Sequence, residues 1–291
     1  MSSQRKSSQR NTINLKRITR RSTFGILGIA VPSAIWAAGI EPNLLSITRK
    51  ELTLPHWPQA LDGFRVAQLT DLHFRPGYDD ALIAKACKKL ADEKPDLITL
   101  TGDFVIRDPS SLPELLRALK GISAQHGVIA SPGNHDRWHC STSQLRKEIE
   151  GAGFTYLQNQ GSKIHIKGEN IFINGLDSIW AGRPDLRKAW QSRLKGEPII
   201  ALVHEPDPFA ELHLSQPLDL QLSGHTHGGQ CRVPFTHYSP AQVNFGRKFI
   251  YGHFEMNRSQ LFVSRGLGTV GPRVRFACSP ELVILTLRSS R

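Results

Sequence analysis

From residue 64 onward, short apolar runs alternate with amphipathic stretches, and no other feature of the chain limits its fold so strongly. FRVAQLT (64–70) reads as a buried strand, DDALIAKACKKLADEK (79–94) carries apolar residues at helical spacing, and DLITLT (96–101) reads as the next strand. SLPELLRALKGI (111–122) predicts a helix with Ser111 as N-cap and Pro113 in the first turn, and GVIAS (127–131) a third strand. A helix near 141–152 follows, then a hairpin around KIHIKGENIFINGL (163–176) turning at Gly168-Glu169-Asn170, then a helix near 184–195. PIIALV (198–203) and LDLQLS (218–223) add core strands, and residues 248–287 supply more. Such strand–helix units imply an α/β layered domain with helices outside. No internal repeat or low-complexity linker interrupts it.

The net charge of +12 suggests a nucleic-acid partner until its distribution is considered. Residues 1–40 hold seven basic residues, Arg5, Lys6, Arg10, Lys16, Arg17, Arg20 and Arg21, and no acid. The remainder carries 30 basic and 25 acidic residues, a surplus of only +5 that fits a solvated, mildly basic surface and does not support nucleic acid as partner. The basic start is followed by FGILGIAVPSAIWAAGI (24–40), so residues 1–40 read as an export signal or membrane anchor. Arg20-Arg21 adds a twin-arginine element, with Phe24 one position later than the usual pattern. Cleavage near Ala37-Ala38-Gly39 and retention as an anchor both fit. The expected location is the bacterial inner membrane or, by twin-arginine export, beyond it, with the N-terminus cytoplasmic. Residues 41–63 read as a connecting segment and 64–287 as the main α/β domain.

Cys87, Cys140, Cys231 and Cys278 show no C-x-x-C spacing, which disfavours zinc-finger or redox chemistry. Cys87 shares an apolar helical face with Leu82, Ile83, Ala86 and Leu90 and reads as a small core residue.

The polar oddities all fall where a predicted strand stops. VAQLT runs into Asp71-Leu72-His73, LITLT into Gly102-Asp103, GVIAS into Pro132-Gly133-Asn134-His135-Asp136, IIALV into His204-Glu205, and LDLQLS into Gly224-His225-Thr226-His227. Carboxyl ends of strands line the ligand crevice in α/β sheets, so these clusters should converge. Any one of them alone reads more readily as a surface turn than as a ligand, and only the ordered set of five reverses that. Together they offer an oxygen and nitrogen donor set suited to Mn, Fe or Zn and not to Ca, with too many candidates for one ion. Two ions sharing a bridging carboxylate would use them all, as in two-metal hydrolases. Adjacent glycines would let backbone and phosphate approach closely.

The ordered set D-x-H, G-D, G-N-H-D, H and G-H-x-H over roughly residues 64–287 resembles the calcineurin-like metallophosphoesterases. The resemblance implies a four-layer α/β sandwich, two mixed β-sheets flanked by helices. It implies that Asp71, His73 and His227 hold one metal and Asn134, His204 and His225 a second, with Asp103 bridging. His135 would stabilise the phosphoryl transition state or protonate the leaving oxygen, oriented by Asp136, and a metal-bridging hydroxide would attack. The expected cofactor is two divalent ions, Mn²⁺ first, Fe or Zn as alternatives.

GHTHGGQCRVP (224–234), DSIWAG (177–182) and SRGLGTVGPRVRFACSPEL (264–282) resemble a YaeI/YkuE-type subgroup of exported or membrane-associated phosphodiesterases. That subgroup is similar to a UDP-2,3-diacylglucosamine pyrophosphatase serving lipid A synthesis. The implied substrate is a phosphodiester or pyrophosphate, lipid-linked in one version, with an exported general or nucleotide phosphodiesterase as the alternative and a non-catalytic metal scaffold as a third reading. Arg265 and Arg273 become candidate contacts for substrate phosphate. Trp180 reads as a core indole, with a base or acyl pocket as its alternative.

Overall fold

The computed structural model describes residues 31–236, 238–240 and 243–290. The basic N-terminal residues, the twin-arginine pair and the first part of the apolar run lie outside them. The described chain enters through helical turns, including Trp36–Ile40 and Glu41–Asn43. Among the described residues no helix is long and apolar enough to cross a membrane.

The first sheet holds β1 (Ser46–Leu54), β12 (Glu281–Ser289), β2 (Phe64–Leu69), β3 (Leu97–Thr101), β4 (Val128–Ser131) and β5 (Thr155–Tyr156), in that spatial order. Strands β2 to β5 run parallel, β12 lies antiparallel to β2, and β1 runs parallel to β12. The second sheet is ordered β10 (Gly252–Met256), β11 (Ser259–Val263), β9 (Leu220–Ser223), β8 (Ile199–Leu202), β7 (Glu169–Gly175), β6 (Gln160–Ile166). Its four central strands are parallel and both its edges antiparallel. Helices α1 (Asp80–Glu93), α2 (Ser111–Ala118), α3 (Asn134–His139) and α4 (Thr142–Gly151) follow the first sheet's strands. The short α5 (Leu186–Trp190) and α6 (Phe209–Ser215) accompany the second.

Period-2 alternation sorts each strand's residues into layers. Val66, Leu97, Ile129, Ile200, Leu202 and Leu222 meet in the core between the sheets. Their neighbours Ala67, Ile98 and Ala130 face Ile83, Leu90, Leu115 and Leu145 of the helices. On the far side Ile199 and Ala201 pack on Trp190, Phe209 and Leu212. Strands covered on both faces read as continuous apolar runs, which is why they were visible in the sequence. Helix–sheet–sheet–helix layering is therefore the four-layer α/β sandwich with two mixed sheets.

Three local expectations need correction. Ser46–Leu54, within the stretch read as a connection, is the edge strand β1: Leu52 and Leu54 point into the inter-sheet core while Glu51 and Thr53 face solvent. Its polar face hides it from a search for apolar runs. The β6–β7 hairpin turns on Lys167-Gly168, with φ of 51° and 84°, the two-residue geometry in which both positions are left-handed, and not on the 168–170 triplet. Helix α5 covers only five residues of the 184–195 stretch, because after the buried Trp190 the sequence QSRLKG offers no further buried apolar face. All four cysteines are free, and Cys87 is half-buried at the margin of the outer core.

Gly102 links β3 to the ligand loop at φ +89°, and a Cβ there would land on the backbone of Gly133. Gly102→Ala should lower the unfolding free energy by at least about 2 kcal/mol in chemical denaturation. Gly121→Ala, with open space around it, should change it by less than about 0.5 kcal/mol.

Candidate metal centre

The two sheets bring the carboxyl ends of β2, β3, β4, β8 and β9 to one mouth. Asp71 and His73 follow β2, Asp103 follows β3, Asn134 and His135 open α3 after β4, His204 follows β8, and His225 and His227 follow β9. Asp71, His73, Asp103, Asn134, His204, His225 and His227 are all buried; His135 is half-buried.

Five of these seven, Asp71, His73, Asp103, His225 and His227, have φ between 40° and 72°. Each such residue costs on the order of 1 kcal/mol or more, so together they consume much of the roughly 5–15 kcal/mol that a domain has in hand. Such strain persists only where the surroundings dictate it. Glycine contacts do part of that: a Cβ on Gly266 would meet the Asp71 side chain, and one on Gly133 would occupy the space of the Asp103 carboxylate.

Three donor sets result, each with its ligand atoms mutually within 4.8 Å: Asp71, His73 and His227; His73, Asp103 and His135; Asp103, His204 and His225. The Asp103 Oδ2 lies 3.3 Å from His73 Nε2 and 3.1 Å from His204 Nε2, which puts one carboxylate between two imidazole groups. Its Oδ1 accepts the His135 backbone N–H at 2.8 Å. Asp71 accepts the His225 N–H and the Thr70 hydroxyl, and its Oδ1 stands 3.4 Å from His227 Nε2. Asn134 Oδ1 is 2.8 Å from His225 Nδ1.

Backbone carbonyls orient the rings. His73 Nδ1 donates to Val105 O, His204 Nδ1 to Thr101 O and His225 Nε2 to Asn244 O, so each ring turns its other nitrogen inward. His73 Nε2 and His227 Nε2 then face one another at 3.1 Å, and the buried His204 Nε2 has no hydrogen-bond partner. Imidazole nitrogens converging on one another and on carboxylate oxygens in this way suit a bound cation.

The charges agree. Burial acts to raise the Asp103 carboxyl, but His204 and His73 outweigh it and hold the group well below the ordinary range. Burial and His73 push the His227 imidazole well below its usual value, and burial lowers His135 against the pull of Asp103. On His204, burial is overcome by Asp103, Asp71 and Glu205, which draw a proton to the nitrogen where a cation would compete.

The remaining expected site residues stand differently. Asp136 spends its carboxylate elsewhere than on the His135 ring, accepting backbone N–H groups of Gly133 (2.9 Å), Asp103 (2.8 Å), Phe104 (2.8 Å) and Val105 (3.3 Å). It turns inward as the N3 residue of α3, where unpaired backbone donors lie within reach. Burial and Asp103 raise its carboxyl to about 7. His135 is oriented instead by Ile106 O, 2.7 Å from Nδ1. Arg265 is committed to Glu281 (3.0 Å) and Ser46 (2.9 Å), and Arg273 to Asp79 (2.9 Å) and Asn43 (2.7 Å). Neither walls the cavity over the ligands, so their expected phosphate contacts are not supported.

Two groups were missed. Trp138 lines that cavity three residues after His135 on α3, an i, i+3 relation that the sequence offered. Arg275 is fully buried, its guanidinium donating to the carbonyls of Arg265, Gly266, Gly268 and Cys278 and so fixing the glycine loop that presses on Asp71. Nothing in RVRF distinguishes it from a surface arginine. Trp180, read as a core indole, is 38% exposed and stands in the cavity wall.

A family model described as calcineurin-like phosphoesterase matches residues 64–229. The chain is 30% identical to the uncharacterized metallophosphoesterase YkuE of Bacillus subtilis over 95% of its own length and 100% of that protein. It is 31% identical to phosphodiesterase YaeI of Escherichia coli, covering 85% and 90% of the two chains. It is 29% identical to UDP-2,3-diacylglucosamine pyrophosphatase LpxG of Chlamydia trachomatis, covering 89% and 94%. With the family model spanning more than half of the chain and the buried donor sets at its strand ends, the protein belongs to the calcineurin-like phosphoesterase family, metal-dependent hydrolases of phosphoric esters.

Proposed function

We propose that the protein is a two-metal phosphodiesterase. The observation that carries this is the position of Asp103, a single ionised carboxylate between His73 on one side and His204 on the other. Asp71, His73 and His227 would hold one cation, Asn134, His204 and His225 the other, with Asp103 shared. Mn²⁺ suits these oxygen and nitrogen donors, as do Fe and Zn. Divalent cations at such a centre polarise phosphoryl oxygens and bring a water's pKa toward neutrality. The chain's own contribution is to fix the donors before substrate arrives and to manage a proton. His135, its Nδ1–H anchored on Ile106 O, presents Nε2 to the cavity as the atom that would carry a proton to the leaving oxygen. The burial of all seven candidate donors at one mouth favours this over a non-catalytic scaffold.

A second reading keeps the chemistry and changes the substrate to the pyrophosphate of a lipid-linked nucleotide sugar such as UDP-2,3-diacylglucosamine, in lipid A synthesis. It is supported by the likeness to LpxG over 94% of that protein. The basic, apolar N-terminus would attach the enzyme to the inner membrane in this reading, and would equally serve twin-arginine export of a general phosphodiesterase. On this proposal residues 64–287 form the catalytic domain, with β1 added at its edge.

Purified protein with Mn²⁺ should hydrolyse bis-p-nitrophenyl phosphate. Asp103→Asn should lower kcat by at least about 100-fold and reduce bound metal, measured by elemental analysis. His135→Ala should lose on the order of 10²- to 10⁴-fold in kcat with metal content unchanged; loss of metal in that variant would move His135 from proton transfer to ligation. A C-terminal alkaline phosphatase fusion should be active in cells if the domain is exported and silent if it faces the cytoplasm, where lipid A precursors are made.

A further inference from the structure

The cavity over the donor sets, about 250 Å³, has a wall that the metal chemistry does not require. Trp138 and Trp180 meet there with ring centroids 4.8 Å apart and planes at 77°. They are 45% and 38% exposed, an expensive place for indoles that have a core available to them. Each is tied to the reactive residues. Trp138 packs on the His135 ring at 5.1 Å, and Trp180 stands edge-on to His225 at 5.6 Å. The backbone N–H of Trp180 and that of Ile179 are held by the carboxylate of Glu205, the residue after His204. One short segment therefore places both a metal donor and an indole.

Two planes at nearly a right angle make a corner that a flat group can enter, lying on one face and meeting the edge of the other. Val243 and Val270 extend this wall. None of the described residues lining the cavity is a lysine or arginine, and the nearby Arg137 turns to Asp177 at 3.0 Å. Apart from a proton on His135, positive charge for the phosphate would thus come from the cations. That balance suits a diester, with one charge, better than a terminal phosphate or a pyrophosphate. The volume accommodates a phosphoryl group with one ring-sized substituent.

We infer that Trp138 and Trp180 form a subsite for a planar ring, an aryl group or nucleobase, attached to the scissile phosphate, and that they select phosphodiesters carrying one. This rests on the hydrolase reading above for the phosphate's position and adds to it the class of substituent.

The test is calorimetric titration of the Mn²⁺-loaded protein with phenylphosphonate, methylphosphonate and hexylphosphonate, which share a head group and need no turnover. Wild type should bind the phenyl compound roughly 10-fold more tightly than the methyl one, with the hexyl compound weaker than the phenyl. Trp138→Ala and Trp180→Ala should bring phenyl and methyl within about 2-fold, at unchanged metal content and circular dichroism, and Trp180→Phe should retain most of the preference. Equal affinities in wild type, a preference that survives both alanine variants, or tightest binding of the hexyl compound, which would indicate an acyl slot, would each overturn the inference. Hydrolysis of bis-p-nitrophenyl phosphate, measured alongside, separates the two readings. Ring preference without turnover removes the hydrolase and leaves the subsite, and turnover without ring preference does the reverse.

Discussion

Four backbone N–H groups converge on the Asp136 carboxylate, and through them the loop after β3 is fastened to the loop after β4. Asp103 sits within this knot: its own N–H is one of the four, and its side chain accepts the N–H of His135. The position of the shared carboxylate is thus set by main chain, independently of any cation. A buried acceptor of this kind is costly unless its partners are in place, since an unmatched buried charge forfeits several kcal/mol, roughly. The same economy keeps the two loops from drifting apart. The imidazoles of His73, His204 and His225 obey the same rule, each locked by a carbonyl on the side away from the centre.

The donors' left-handed backbone is the second constraint, and it explains the glycines. An L-residue at positive φ turns its side chain across the end of its strand into the mouth, where an extended residue would point along the strand. The neighbouring chain must then come close, and at Gly102 and Gly133 the two loops lie in backbone contact with no room for a Cβ. G-D and G-N-H-D are in that sense one motif, two halves of a single contact between adjacent parallel strands.

How much of this could be read in advance follows from where the information resides. Strands buried on both faces and helices with one apolar face announce themselves by periodicity, so β2, β3, β4, β8, β9 and α1 were legible. β1 was not, because half of its residues face water and its pairing with β12 is set by residues more than 230 positions away. The donor set was legible because chemistry concentrates at strand ends, and a D-x-H or H-x-H is rare enough to notice. The true partners of Asp136 were not legible: sequence shows it beside His135 and cannot show three N–H groups arriving from the loop after β3. Arg265 and Arg273 illustrate the reverse error, since an arginine's formal charge is visible while the carboxylate that occupies it, Glu281 or Asp79, is not.

Those arginines also bear on how the site treats charge. Five of them sit in or near the loops that frame the mouth, and each is already engaged. Arg75 donates to the carbonyls of Thr269 and Gly271, Arg232 to that of Ala277, and Arg275 to four carbonyls, while Arg265 and Arg273 pair with acids. A guanidinium offers five donors in a fixed fork, so it serves as well for stapling carbonyl-rich loops as for gripping phosphate. Here the carbonyls so engaged, those of Arg265, Gly266, Gly268, Thr269, Gly271, Ala277 and Cys278, all belong to the segment between β11 and β12. The arginines staple that segment across the mouth. These five arginines are consequently spent inside the fold, and among the described residues the mouth is lined by imidazole, carboxylate and indole with no free guanidinium.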